Sequence, residues 1–233
     1  MAVAIMQPYF FPYLGYFQLV QAVEHFVLYD DVMFIKKGWI NRNRIWMQGQ
    51  DFLFTIPLEK QSQNKTIRES TVAWNADFPS KFLVQLRSAY KKAPHVDAVM
   101  SLIEGVLAEK PISLADLAGN SIQSTWNYLG LSKKFYLSSE LSVSSDLGRA
   151  ERLMEITKSL GETVYINAAN GQALYDKPSF AEQGVTLQFI QGDLPAYKQG
   201  NSPEFLAGLS MIDVMMWNDI PTIRDMLTRY TCG

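Results

Sequence analysis

The stretch that most restricts how this chain can fold is its first thirty residues. Ala2–Met6 (AVAIM) is a short apolar run suited to a buried strand. Residues 15–23 (GYFQLVQAV) suit a short helix, and residues 25–29 (HFVLY) are a second apolar strand that ends at Asp30-Asp31. Strand, helix and strand in so short a span form a βαβ unit, which implies a parallel sheet with a right-handed crossover. Between the first strand and the helix stands QPYFFPYLGYF, a stiff aromatic loop with two prolines.

The remaining pattern continues this theme. Residues 44–47 and 52–56 flank QGQD and predict a β-hairpin. Residues 67–72 predict a further strand. Residues 78–90, 94–107 and 113–129 read as helices. The first opens in NADFPSKF, with cap residues and an early proline. The third starts with Ser113 as cap and Asp116 at the third helical position, a capping box with Asp in place of Glu. Strands are expected again at 135–138, 164–167 and 185–190. A helix at 147–160 is stopped by Gly161, and two short helices are expected at 210–217 and 220–230. The chain therefore reads as one α/β domain over residues 1–233. It has a Rossmann-like, mostly parallel sheet, a β-hairpin and a helical insert at about 78–130.

Composition limits the function classes. With 233 residues, 48% hydrophobic and 19% charged, the chain can bury a core without staples and is not disordered. A net charge of -2 gives no global pull toward nucleic acid. One cysteine, Cys232, rules out a disulfide framework or a thiolate metal site. His25 and His95 have no metal-ligand partner at useful spacing and read as structural, so no metal is expected. No charged leader or 18-residue apolar run is visible, so neither a signal peptide nor membrane insertion is expected, and the cytoplasm is the expected compartment. There is no Ser-His-Asp signature, Walker loop or glycine-rich dinucleotide fingerprint.

Open parallel sheets bind ligands beyond the C-terminal ends of their strands. Four unusual stretches follow strands: Gln7-Pro8-Tyr9, Asp30-Asp31, AANGQALYD (which holds Tyr175) and QGDLPAYKQG. They are expected to meet on one rim. There Tyr9, Tyr13 and Tyr16 either stack on a base or sugar ring or pack into the core, while Phe10, Phe11 and Phe17 plug the core. Adjacent strand residues point to opposite faces, so one of Asp30 and Asp31 can face a pocket, to orient an amine or a metal; otherwise both are turn acids. KKGWINRNRIW places Lys36, Lys37, Arg42 and Arg44 among Trp39 and Trp46. Arg42 and Arg44 share a strand face, with Lys36 nearby. Two guanidiniums there suit a diphosphate and the tryptophan a stacked ring; the alternative is a solvated hairpin edge.

These stretches carry a resemblance. QPYFFPYLGYF, LYDDVMFIKKGWINRNRI and FLFTIPL look like the WbqC-like family of bacteria. So do AYKKAP, Asn120 within a helix, YINAANGQALYD and LSMIDVMMWN, which holds Asp213. One departure is YINAANG, where the family would have a Ser-Gly pair after the tyrosine. Members of the family sit among genes for O-antigen and other surface polysaccharides. The resemblance implies a transferase acting on a dTDP- or UDP-linked 4-amino-4,6-dideoxy sugar, by acylation or aminoacylation of the sugar amine, such as glycyl transfer. No cofactor is implied beyond an activated acyl or aminoacyl donor, for which an aminoacyl-tRNA is one candidate.

In that reading Asp30 or Asp31 orients the amine and takes its proton, and Asn41, Asn43 or a backbone amide stabilises the oxyanion. Gln7, Tyr9, Tyr13, Tyr16, Lys36, Trp39, Arg42, Asn43, Arg44, Asn120, Tyr175 and Asp213 bind substrate. A second resemblance is to the HxGH loop of nucleotidyltransferases and pantothenate synthetase, with Tyr13 and Tyr16 at the two histidine positions. It implies an adenylate-forming or nucleotidyl-transfer enzyme. A non-catalytic binder of nucleotide sugars is the third reading.

Overall fold

The computed structural model describes residues 1–74, 77–200 and 204–233. Strand β1 (Ala2–Met6) runs into helix α1 (Leu14–Gln21) and then strand β2 (His25–Leu28), which lies parallel to β1 with Val3 opposite His25 and Met6 opposite Leu28. The antiparallel hairpin β3 (Arg42–Met47) and β4 (Gln50–Thr55) stands apart as its own two-stranded sheet. Its turn is Gln48-Gly49, with φ of 54° and 86°, the left-handed pair that a twisted two-residue hairpin needs. The pairing starts two residues earlier than expected, so Arg42 is on the ladder.

Helices α2 (Ser80–Tyr90), α3 (Val96–Ala108) and α4 (Leu114–Tyr128) follow as the expected helical insert. Asn75, a cap residue expected for α2, lies outside the described residues, and Pro79 takes the cap position. Ser113 caps α4, its hydroxyl accepting from the Ala115 N–H at 3.1 Å. Ser113→Ala should cost about 1 kcal/mol. Urea titration would show this as a lower midpoint at unchanged slope, and an unshifted midpoint would deny the cap any weight.

Strand β5 (Phe135–Leu137), helix α5 (Arg149–Ser159), strand β6 (Val164–Ala168), helix α6 (Lys177–Glu182) and strand β7 (Thr186–Gly192) complete the alternation. Helices α7 (Met211–Trp217) and α8 (Ile220–Leu227) and strand β8 (Tyr230–Cys232) end it. The main sheet runs β5-β2-β1-β6-β7-β8, parallel except for β8. In order of appearance its strands read 3-2-1-4-5-6, the dinucleotide-fold order.

The sheet is covered on both faces. Ala4 belongs to one core with α1, α3, α4, α7 and α8. Val3 and Ile5, pointing the other way, belong to a second with Leu153, Ile156 and Phe180 of α5 and α6. That split is the strand period of two made visible.

Three expectations need correction. Residues 67–72 are not a strand. Ile67 and Val72 are buried, but the Glu69 carboxylate accepts from Thr66 N at 2.8 Å and Thr66 Oγ1 at 2.9 Å and folds the segment into a turn. The last residues do not extend the final helix: β8 zips onto β7, so exposed Cys232 sits on a paired edge strand. Helix α6 was not expected, although Asp176 caps it by accepting from Ser179 N at 3.0 Å and Pro178 occupies its first turn.

The aromatic loop is pinned from three sides. Phe10 and Phe11 are fully buried. Phe11 adopts φ 42°, a left-handed backbone that a phenylalanine holds only under constraint. Its N–H donates to Ser121 of α4 at 2.9 Å, and its carbonyl accepts from Asn43 Nδ2 and Ser210 Oγ, each at 2.7 Å. The Met211 N–H reaches the Pro12 carbonyl at 2.8 Å and the Phe10 N–H the Ile40 carbonyl at 3.0 Å. Hairpin, insert and α7 thus hold one loop rigid at the mouth of the sheet.

Candidate functional site

A cavity of about 930 Å³ opens at the C-terminal rim, where the chain has gone from β1 to β2 on one side and returns to β6 on the other. This is the topological switch point, where open α/β sheets bind ligands. The size lies in the upper part of the usual range of about 300–1,000 Å³ for small-molecule sites.

Its walls come from distant segments. Met6 and Gln7 lie at the end of β1, Tyr29 and Asp31 follow β2, and Asn167, Asn170 and Gly171 close β6, with Tyr175 just beyond. Tyr9, Tyr13 and Tyr16 come from the aromatic loop and α1, Trp39, Asn43 and Arg44 from the hairpin region, and Arg149 and Arg152 from the start of α5. Of the four stretches expected to converge, three do. The loop after β7 turns away, and Tyr197 and Gln199 in it are bonded to Asp213.

Among the candidate residues, Gln7, Tyr9, Tyr13, Tyr16, Asp31, Trp39, Asn43, Arg44 and Tyr175 line this cleft. The others lie elsewhere, each with a physical reason. Asp30 is buried behind the rim, its carboxylate accepting from Ser138 Oγ (2.9 Å), Ser139 N (3.0 Å) and Ser139 Oγ (2.7 Å). The Asn41 amide donates to the Ile56 carbonyl at 2.8 Å and stiffens the hairpin base. Arg42 donates from Nε to the Gly38 carbonyl at 2.8 Å and from Nη2 to the Lys37 carbonyl, so its fork is occupied by its own loop. Lys36 is exposed and does not line the cleft. Asn120 donates to Glu109 at 2.6 Å on the insert. Asp213 is fully buried, with the hydroxyls of Tyr90 and Tyr197 at 2.7 and 2.6 Å.

Even within the cleft the roles divide. Asn43 is a strut: its Nδ2 holds Phe11 and its Oδ1 accepts from the Arg44 N–H at 2.8 Å. Arg44 pairs with Asp51 across the hairpin at 3.2 Å, a compensating acid outside the basic window, while its Nε is buried without a partner. The guanidiniums of Arg42 and Arg44 each lie 5.6 Å from the centroid of the half-exposed Trp39 ring. Tyr9 and Tyr16 pack at 5.6 Å between centroids, and the Tyr16 hydroxyl donates to the Gln7 carbonyl at 3.0 Å. Exposed Met33, Ile35 and Leu174 add an apolar lip.

Asp31 meets Arg152, Nη2 to Oδ2 at 2.5 Å, and its Oδ1 accepts from Ser138 Oγ at 2.6 Å. Burial pushes the Asp31 carboxyl up, but the hydrogen bonds from Arg152 and Ser138 and the guanidinium charge outweigh it and hold it below its usual range. The Arg152 side chain is only 4% exposed, lies 5.0 Å from the Tyr29 ring centroid, and keeps a buried Nε with no partner. Burial raises the hydroxyls of Tyr9, Tyr13, Tyr16, Tyr29, Tyr165 and Tyr175, so all six remain protonated donors at neutral pH. Among the described lining residues there is no His, Cys, Lys or Glu. The cleft therefore offers fixed positive charge, hydroxyl donors, aromatic faces and one ionised carboxylate. It suits positioning and charge stabilisation better than covalent or strong base catalysis.

Tyr29, Arg149, Arg152, Tyr165, Asn167 and Asn170 were not foreseen. One signal was available. Arg149 and Arg152 stand three apart at a helix start, on one face, where the helix dipole favours acids.

Fold and cleft together define a Rossmann-like α/β protein with a tyrosine- and arginine-walled site at its switch point. A family model described as the WbqC-like protein family matches residues 7–225, and the chain belongs to that family. It is also similar to the protein called "Uncharacterized protein Rv1507c" from Mycobacterium tuberculosis (strain ATCC 25618 / H37Rv). The two are 27% identical over 194 residues, covering 82% of this chain and 82% of that one. No solved structure matches the chain. No helix among the described residues is long and apolar enough to cross a membrane.

Proposed function

We propose that this protein is a transferase that carries an acyl or aminoacyl group from an activated donor to the amine of a nucleotide-linked 4-amino-4,6-dideoxy sugar. Such a step belongs to O-antigen assembly. The observation that carries the reading is the content of the switch-point cleft: three guanidiniums, six tyrosines and a tryptophan around one carboxylate. A base or sugar ring stacks on Trp39, Tyr9 or Tyr13, arginines neutralise phosphate, and hydroxyls bond the hexose.

In the reaction the neutral amine attacks the acyl carbon. The C–N bond forms, the bond to the donor's leaving group breaks, and the leaving group departs with its electron pair. Asp31, anchored by Arg152, accepts a hydrogen bond from the amine and orients it. As a carboxylate of depressed basicity it passes the surplus proton to water and does not retain it. Asn41 and Asn43 are committed to backbone carbonyls, so the transient oxyanion is held by Arg44 and tyrosine hydroxyls.

One observation favours a second reading. Tyr13-Leu14-Gly15-Tyr16 opens α1 after the aromatic loop that follows β1, and its Tyr13, Gly15 and Tyr16 line the cleft, where an HxGH loop would contact ATP. Magnesium-dependent ATP turnover would select that chemistry, and tight ligand binding without turnover against any donor would select a binding protein.

The test is calorimetry with a dTDP-linked 4-amino-4,6-dideoxy sugar, followed by mass spectrometry for an N-acylated product with acyl thioester and aminoacyl-tRNA donors. Trp39→Ala and Arg44→Gln should each weaken sugar-nucleotide binding about tenfold, the weight of one cation–π or charge-assisted contact. Unchanged affinity in both would remove the hairpin from the site.

A further inference from the structure

We propose that the start of α5 is the seat of a phosphoryl group: Arg149 grips it, Arg152 adds a fixed charge behind it, and the Tyr29 and Tyr175 hydroxyls donate to its oxygens. This rests on the reading of the cleft as a nucleotide-sugar site and names the wall that takes the diphosphate.

Four observations converge on that wall. First, α5 spans 11 residues, and its cap residue, Gly148, supplies no side-chain bond to the first-turn amides. A helix start with open amides attracts anions. Second, Arg149 lines the cleft, is exposed, and carries no ion pair among the described residues. Third, Arg152 lines the same wall almost wholly buried, with Nε lacking any partner even though Nη2 holds Asp31. A buried donor left unpaired is destabilising, and a ligand oxygen would supply the missing partner. Fourth, the alternative seat is crowded. Dinucleotide folds place pyrophosphate at the first helix, but here Tyr13 lies across the start of α1. A Cβ on Gly15 would stand 2.5 Å from the Tyr13 ring, so ring and backbone are already in contact.

The diphosphate assignment thus moves from Arg42 and Arg44 to Arg149 and Arg152. Arg42 is occupied by the carbonyls of Lys37 and Gly38, and Arg44 is paired with Asp51 as Arg152 is with Asp31, so of the four guanidiniums it is Arg149 whose fork is left open for the ligand among the described residues. Arg44 and Trp39 are left for the remainder of the ligand.

Inorganic pyrophosphate titrated into the full chain by calorimetry tests the proposal, with dTDP as a second arm. Arg149 is on the surface, so Arg149→Gln should fold normally, which a thermal melt would verify. It should bind both probes about tenfold more weakly, the weight of one charge-assisted fork. Arg149→Lys should recover part of the loss. Lys158→Gln, the same charge change at the far end of α5, should match the parent. Arg149→Gln binding pyrophosphate as well as the parent does, or no pyrophosphate binding by the parent at 10 mM, would overturn the assignment. Failure of the two readings is distinguishable. If dTDP-sugars bind and Arg149→Gln has no effect, only the α5 seat is wrong. If pyrophosphate binds through Arg149 but no nucleotide sugar does, only the substrate class is wrong.

Discussion

Arg152→Ala should destabilise the fold by about 3 kcal/mol at pH 7, the lower end of the cost of breaking a buried ion pair, because Asp31 keeps some contact with water. The guanidinium is nearly inaccessible, and its loss leaves Asp31 with Ser138 as its remaining side-chain partner. The pH dependence gives this effect its own signature. Asp31 has a folded-state value below that of the unfolded chain. Its contribution is therefore present above the unfolded value of about 3.9 and is lost as pH falls through the folded value. Urea titrations at pH 7 and at successively lower pH should show the gap between parent and variant narrowing below about pH 4. A gap that stays constant with pH would mean the guanidinium matters for packing alone. Arg152→Lys should recover only part of the loss, because a single ammonium cannot hold Asp31 and face Tyr29 at once.

Asp213→Ala should be as damaging, about 3–4 kcal/mol, because it strands several buried donors together. The carboxylate accepts from Tyr90 (2.7 Å), Tyr197 (2.6 Å) and Gln199 Nε2 (3.0 Å) at zero exposure. Tyr90 in turn accepts from the Trp46 N–H at 3.2 Å, so the cluster seats the hairpin as well as the loop after β7. Its pH trend runs opposite to that of Asp31. Burial raises the Asp213 carboxyl more than the hydrogen bonds from Tyr197, Tyr90, Gln199 and the Trp46 backbone lower it. Its contribution is therefore fullest below the unfolded value and diminishes as pH rises through the folded one. Asp213→Asn keeps the shape without the ionisation, so the stability gap from parent to Asn variant should shrink between pH 4 and pH 7. A gap that widens would show that these hydrogen bonds outweigh desolvation. Because the hairpin carries Trp39 and Arg44, Asp213→Ala should also weaken ligand binding without touching the cleft.

Much of the frame was legible. The opening βαβ unit, a hairpin turn within QGQD, the Ser113 cap and the stop at Gly161 depend on contacts within a few residues, which spacing and residue type encode; that the turn tightens to Gln48-Gly49 was not foreseen. Asp31 and not Asp30 lines the cleft, but both lie in the turn beyond β2, where the strand period of two does not decide the matter. The insert helices were found within two residues of their ends, since a 3.6-residue apolar period survives whatever packs against it. Residues 67–72 misled because β-branched side chains are selected for core burial as well as for ladders, and the Thr66–Glu69 turn is set by hydrogen bonds that hydropathy does not record.

For the site, sequence alone decided the inventory: an aromatic loop after the first strand, an acid pair after the second, and basic residues near tryptophan. Which of those side chains remain available for a ligand was settled by tertiary structure. Arg42 is occupied by carbonyls four and five residues back, Asn43 by Phe11, and Asp30 by serines just beyond the neighbouring strand β5. Asp31 finds its guanidinium 121 positions away. A polar group in a folded chain is defined by what already satisfies it, and for Asn43, Asp30 and Asp31 those partners are brought close by tertiary packing, which no local window contains.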